Sequence, residues 1–307
     1  MMQPNHSPIQ EIKNDLLSRK KLRLLLKRDD CLHPDISGNK WRKIKYNLVE
    51  FRKLNYRQLL TFGGAFSNHI AAVAAAGQLY NFATIGIIRG EQTNPLNPTL
   101  TFAQQCGMQL KFISRTAYRL KNQPDFLAAL KNEWGDFYLL PEGGSNIAAL
   151  RGCREIIEEV AAELPVLPDY FCVPCGTGTT MAGIVAALQN KANIIGFSAL
   201  KGDFLPKEIT DLLTAIDQPV YDNWQINTDY HFGGYAKWQP GLIDFINQFK
   251  LDNQIALDPV YTGKMMYGIV DLISKNYFRE GSTILAVHTG GLQGIEGFNE
   301  RFGRLIA

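Results

Sequence analysis

Two hydrophobic periodicities alternate along this chain, and few architectures tolerate that pattern. Short apolar runs bounded by Gly or Asn recur at 58–62, 83–88, 109–113, 137–140, 170–173, 193–199 and 283–287, and runs of that length read as buried strands. Between them residues fall three and four apart on helical stripes, as at Trp41, Ile44, Leu48 and Phe51, at Ile156, Ile157, Val160 and Ala161, and at Ile269, Leu272, Ile273 and Asn276, all apolar but the last. That is the spacing of one helix face. Strand and helix in alternation predict an α/β protein with largely parallel sheets covered on both faces.

At 307 residues, 46% of them hydrophobic, the chain can bury a sizeable core without metal or disulfide staples. The stretch 46–150 carries its own βα units and ends in the Gly-rich Pro141-Glu142-Gly143-Gly144-Ser145-Asn146. We expect it to form a smaller inserted domain, with 1–45 and 151–307 making a larger one and a ligand cleft between them. The formal net charge is only +3 and the basic residues are scattered. Their one cluster, 19–28, has Leu22, Leu24, Leu25 and Leu26 threaded through it. It reads as an edge element flanking a core strand, and no nucleic-acid partner is expected.

Five cysteines are too few and odd in number for a disulfide scaffold, which points to a reducing compartment. Cys172 and Cys175 have a redox or zinc spacing, but they close an apolar strand instead of opening a helix, and no second ligand pair accompanies them. No metal site is expected. The N-terminus lacks a basic stretch followed by an apolar one, and the longest apolar run, 70–76, is too short to span a bilayer. The expectation is a soluble cytoplasmic protein without a membrane partner.

Several motifs sit where strands give way to helices. In Ser37-Gly38-Asn39-Lys40-Trp41-Arg42-Lys43 the lysine stands at a loop-to-helix junction behind a glycine, with a helix expected to begin immediately after it. Taken alone it is an ordinary first-turn lysine; held near apolar surface and other cations, it would be a nucleophilic amine. In Thr61-Phe62-Gly63-Gly64-Ala65-Phe66-Ser67-Asn68-His69 either Ser67 or Asn68 can cap the following helix. The exposed N–H groups there suit a carboxylate or phosphate. Cys175-Gly176-Thr177-Gly178-Thr179-Thr180 follows a strand and combines two glycines with three hydroxyls, a phosphate cradle. Met181 stands where a dinucleotide fingerprint needs its last glycine, and no G-x-x-x-x-G-K-[ST] exists, so a phosphate outside a nucleotide fits best. Asp258-Pro259-Val260-Tyr261-Thr262-Gly263-Lys264 and His288-Thr289-Gly290-Gly291 place hydroxyls near strand ends, where ligands meet sheets of this kind. Gly233-Gly234-Tyr235, within the less readable stretch 221–238, is compatible with an ordinary turn.

In combination and in this order, these motifs resemble the tryptophan-synthase-β-like (fold type II) pyridoxal-phosphate enzymes. Within them the likeness is to the 1-aminocyclopropane-1-carboxylate deaminase and D-cysteine desulfhydrase family, from about residue 27 to 301. The resemblance implies two α/β domains with pyridoxal 5'-phosphate between them, a small amino-acid substrate and a homodimer. It implies that Lys40 is the Schiff-base lysine and later the base for the α proton. Asn68 would contact the cofactor's phenolic oxygen, and Ser67 with the backbone around His69 would receive the substrate carboxylate. Gly176, Thr177, Gly178, Thr179 and Thr180 would hold the phosphate, while Tyr261 lies against the ring with Tyr235 opposite. The family's cyclopropane deaminases carry Glu and Leu where this chain has Thr262 and Thr289. A threonine donating to the pyridine nitrogen leaves the ring uncharged, which favours β-elimination from D-cysteine over ring opening. The cyclopropane deaminase and a pyridoxal-phosphate-binding protein without activity are the alternatives.

Overall fold

The computed structural model describes residues 4–219 and 221–307. A six-stranded sheet runs in the order β1 (Ile9–Ile12), β2 (Arg23–Lys27), β10 (Thr283–Val287), β7 (Tyr170–Cys175), β8 (Asn193–Ser198) and β9 (Trp224–Asn227). A four-stranded sheet runs β5 (Gln109–Ile113), β4 (Ala83–Arg89), β3 (Gln58–Gly64) and β6 (Tyr138–Leu140). Every pairing is parallel except that of β1 with β2. All strands of the smaller sheet fall within 58–140. No described helix is long and apolar enough to cross a membrane.

The seven expected strands form, and β1, β2 and β9 join them. The basic cluster at 19–28 calls for a correction. It is not an edge element: β2 lies inside the sheet between β1 and β10, and the described edges are β1 and β9. Its leucines 24 to 26 are buried on both faces of the sheet, with Leu25 in one core cluster and Leu24 and Leu26 in another. Alternating burial to either side of a pleated strand is what a doubly covered sheet requires. The charges that disguise β2 are neutralised by tertiary partners. Lys27 is fully buried, yet its ammonium reaches Glu159 at 2.9 Å, Glu163 at 3.2 Å and the Ser7 carbonyl at 2.5 Å.

Lys27 belongs to a buried network that places the helix Asn39–Lys53. Arg42, 1% exposed, donates through Nε and Nη2 to both Asp29 oxygens at 2.6 Å and also contacts both oxygens of Glu159. Glu159 lies on the helix Ile147–Glu163. The two helices touch at backbone distance, since a Cβ on Gly152 would lie 1.9 Å from the Arg42 carbonyl oxygen. The opposite, apolar side of Asn39–Lys53, with Trp41, Ile44, Leu48 and Phe51, packs into the core of the smaller sheet. One helix is thus held to both sheets.

Removing one partner of a buried ion pair strands the other, at a cost of about 3–5 kcal/mol. Arg42→Ala is expected to lower the unfolding free energy by that order in urea titrations, and Arg42→Lys to recover little because it cannot span two carboxylates. Burial alone would raise the Glu159 carboxyl, but Arg42 and then Lys27 override it and hold it at about 2. A carboxyl depressed in the folded state contributes stability above its unfolded value and loses it as pH falls. Wild-type stability should therefore drop between about pH 4.5 and 2, and Arg42→Ala should flatten that slope.

Candidate active site

Four turns meet at the carboxyl ends of β3, β6, β7 and β10, where parallel sheets expose ligand sites. The Lys40 turn is stitched to the one after β10. Gly38 has φ +64°, and a Cβ on it would fall 1.9 Å from the Thr289 oxygen. The Asn39 N–H donates to that same oxygen at 3.2 Å. The helix starts at Asn39, two residues earlier than expected, so Lys40 sits in its first turn. Side chains three apart share a helix face, and those two apart point nearly opposite ways. Lys40 and Lys43 therefore face the cleft together while Arg42 points back to its carboxylates.

Burial first, and the Lys43 charge second, push the Lys40 amine down to about 7. Lys40 Nζ donates to Asn39 Oδ1 at 3.0 Å, and Asn39 Nδ2 donates to Thr180 Oγ1 at 3.0 Å. Lys43 is 3% exposed, and burial depresses its amine as well. Its ammonium lies 3.4 Å from Thr177 Oγ1 and 3.2 Å from the Gly143 oxygen. An anion there would restore the charge that burial disfavours.

The cradle has the form such an anion needs. Gly178, at φ 75°, precedes the helix Thr179–Leu188 without any side-chain cap, so the first-turn N–H groups remain free for a ligand. Thr177 Oγ1 and Thr179 Oγ1 are 3.3 Å apart, and Thr179 Oγ1 lies 2.6 Å from Ser145 Oγ. The Thr179 and Thr180 hydroxyls are thus tied to Ser145 and Asn39, leaving the backbone, Thr177 and Lys43 as the anion's partners. A single phosphate fits this set of donors. Lys43, Asn39 and Ser145 were not singled out as site residues from the sequence. Lys43 could have been, because it stands three positions after Lys40.

At the turn after β3, Ser67 caps the helix Asn68–Tyr80 by accepting the Ile70 N–H at 3.3 Å. The Asn68 amide lies against the glycines after Thr289, and a Cβ on Gly291 would come 2.8 Å from its Nδ2. His69 is buried; its Nε2 edge bonds into the smaller sheet, while its Nδ1 edge faces Gly144 beside Lys43. Thr61 gives its proton to the Leu140 oxygen at 2.7 Å, so the Thr61 oxygen accepts from His69 Nε2 at 2.8 Å. Burial first, then Lys40 and Lys43, keep this imidazole neutral. Its Nδ1 is buried without a hydrogen-bond partner among the described residues.

Asp258 builds the fourth wall. Its carboxylate accepts the N–H groups of Val260, Tyr261 and Thr262 at 2.8 to 2.9 Å and the Thr262 hydroxyl at 2.7 Å. The Thr262 side chain is therefore committed to the turn and is fully buried. The turn carries Tyr261 over the cradle, where a Cβ on Gly176 would lie 3.2 Å from its ring. Tyr235 stacks edge-on to Tyr261, with centroids 6.3 Å apart, and its hydroxyl lies 3.5 Å from the Phe66 oxygen. His288 bonds the Ala256 oxygen through Nε2 and accepts the Gly290 N–H at Nδ1, which makes it a structural residue of the loop.

A buried lysine with a lowered pKa beside an uncapped anion cradle, between two largely parallel sheets, is the arrangement of a fold type II pyridoxal-phosphate enzyme. The family model for pyridoxal-phosphate dependent enzymes matches residues 5–290, and the chain belongs to that family. Within it the chain falls with the 1-aminocyclopropane-1-carboxylate deaminases and D-cysteine desulfhydrases. It is 31% identical over 294 residues to the bifunctional D-cysteine desulfhydrase/1-aminocyclopropane-1-carboxylate deaminase, mitochondrial, of Arabidopsis thaliana, covering 89% of this chain and 73% of that one. It is 25% identical to the D-cysteine desulfhydrase of Klebsiella pneumoniae, covering 87% and 86%. The crystal structure of an ACC deaminase homologue superposes with a TM-score of 0.86 at 26% identity, covering 100% of this chain and 95% of that one. The protein is therefore a pyridoxal-phosphate-dependent enzyme of the elimination and deamination type.

Only the free amine of Lys40 can condense with an aldehyde. The rate at which apoenzyme takes up pyridoxal phosphate should rise with pH and level off above about 7. Lys43→Met removes a neighbouring cation and should move that inflection upward; stopped-flow absorbance measures both. An inflection near the ordinary lysine value of 10.5 in the wild type would show that Lys40 is not depressed.

Proposed function

We propose that the enzyme is a D-cysteine desulfhydrase, converting D-cysteine and water into pyruvate, ammonia and hydrogen sulfide. The observation that carries this reading is the difference between its two threonines. Thr262 is consumed by Asp258, whereas Thr289, 7% exposed at the end of β10, has a hydroxyl with no hydrogen bond among the described residues. Thr289 is a neutral donor available to the pyridine nitrogen. It would leave the ring uncharged, enough for a reaction that starts by losing an α proton and ends by losing a good leaving group.

The residues divide the work as follows. The cradle from Gly176 to Thr180, with Lys43, would hold the phosphate, and Asn68 the phenolic oxygen. Bound there, pyridoxal phosphate supplies an aldehyde for the substrate amine and an electron-accepting ring. The N–H groups opening the Asn68 helix, with Ser67, would orient the substrate carboxylate. Lys40, depressed to about 7, is suited to accept the α proton. Burial first, then Tyr235, Asp258 and Glu142, push the Tyr261 phenol well above its ordinary value. Tyr261 thus keeps its proton and can donate it to the departing sulfur, with Tyr235 closing the pocket opposite.

The second reading, 1-aminocyclopropane-1-carboxylate deaminase, is favoured by the double name of the Arabidopsis relative. Keto-acid analysis separates the two, since D-cysteine yields pyruvate and the cyclopropane acid yields 2-oxobutanoate. Formation of 2-oxobutanoate without pyruvate would reject the desulfhydrase. Lys40→Ala should abolish turnover. Tyr261→Phe should lower kcat on D-cysteine by about 10²- to 10⁴-fold, and much less on β-chloro-D-alanine, whose chloride leaves without a proton.

A further inference from the structure

Tyr235 is the one site tyrosine that no helix or strand supports. It follows a run of left-handed backbone, with φ of 55° at Phe232, 99° at Gly233 and 116° at Gly234, and Ala236 after it is at 52°. Such a segment does not hold its shape by local preference, because non-glycine residues resist positive φ. Yet it carries its ring into the cleft, edge-on to Tyr261, and sets its hydroxyl near Phe66 on the opposite side.

A single buried cation grips this segment. Lys264, 1% exposed, donates from Nζ to the carbonyl oxygens of His231 and Gly234, each at 2.8 Å. Among the described residues no carboxylate lies within ion-pairing distance of it, so these two carbonyls are the partners its burial requires. Lys264 stands in the first turn of the helix Thr262–Ser274, three residues after Tyr261. The two carbonyls bracket the turn immediately before Tyr235.

We propose that Lys264 is a positioning residue for substrate binding: it clamps the 231–234 turn to the helix that carries Tyr261 and so holds Tyr235 across the cleft. One helical turn then fixes both tyrosines relative to each other. This rests on the reading that Tyr235 faces the substrate.

The test compares wild-type holoenzyme with Lys264→Met, which keeps the stem and removes the donors. Hydrogen exchange in 229–237 should accelerate about tenfold, while the cradle helix Thr179–Leu188 and the visible absorbance of bound cofactor stay unchanged. KM for D-cysteine should rise about tenfold, with kcat falling less. Tyr235→Ala should reproduce the KM change, and the double variant should be no worse than Tyr235→Ala alone, since both changes remove one device. Lys264→Gln, which retains donors on a shorter stem, should restore part of the protection and serves as the working variant if the methionine form is poorly folded. Unchanged exchange in 229–237, exchange rising throughout the molecule, or KM effects that add in the double variant would each overturn the proposal. If D-cysteine is not the substrate, the exchange measurements still decide the clamp, and only the kinetic arm is repeated with the substrate identified.

Discussion

The ion pair between Arg42 and Asp29, extended to Glu159 and Lys27, fixes which way its helix faces and so turns the lysine two residues upstream toward the cleft. Two cations taken out of water cost several kcal/mol each unless geometry and partners are right. Here the guanidinium spans two carboxylates, and the third direction is closed by the second helix. The reward is orientation. With Arg42 turned toward the core, helical geometry leaves Lys40 and Lys43 on the cleft side with no anionic partner among the described residues. The same helix is therefore anchored by a satisfied charge and primed by two unsatisfied ones.

The cleft continues this logic. Asn39 links the Lys40 turn to Thr289 on one side and Thr180 on the other, and Asp258 spends a full carboxylate on shaping one turn. Few of these bonds touch a reactant. They hold separate loops in register so that an amine, an anion cradle and a phenol share one small space, which is where most of the rate advantage of a preorganised site arises.

Much of this was legible in the chain. Strands such as β3 and β8 declare themselves because both faces are apolar, and the Gly-rich junctions declare themselves because only certain residues suit tight turns and free helix termini. β2 was misread because its lysine and arginine look like surface; burying Lys27 needs Glu159 and Glu163, more than 130 positions away. β9 was missed because an edge strand of four residues, none of them buried, has no clean periodicity. Asn39, Ser145 and Lys264 show nothing locally, since each matters only through a partner brought close by the fold.

The sequence by itself determined the class of fold and the order of the Gly-rich motifs, because these depend on local periodicity and on backbone freedom at a few glycines. Only the tertiary structure decided the chemistry of each group. Lys40 is depressed by its burial and by Lys43, His69 is held by Thr61, Thr262 is spent on Asp258, and Thr289 is left with a hydroxyl that no described residue bonds. Charge, burial and hydrogen bonding are properties of neighbours, and neighbours are assigned by the fold.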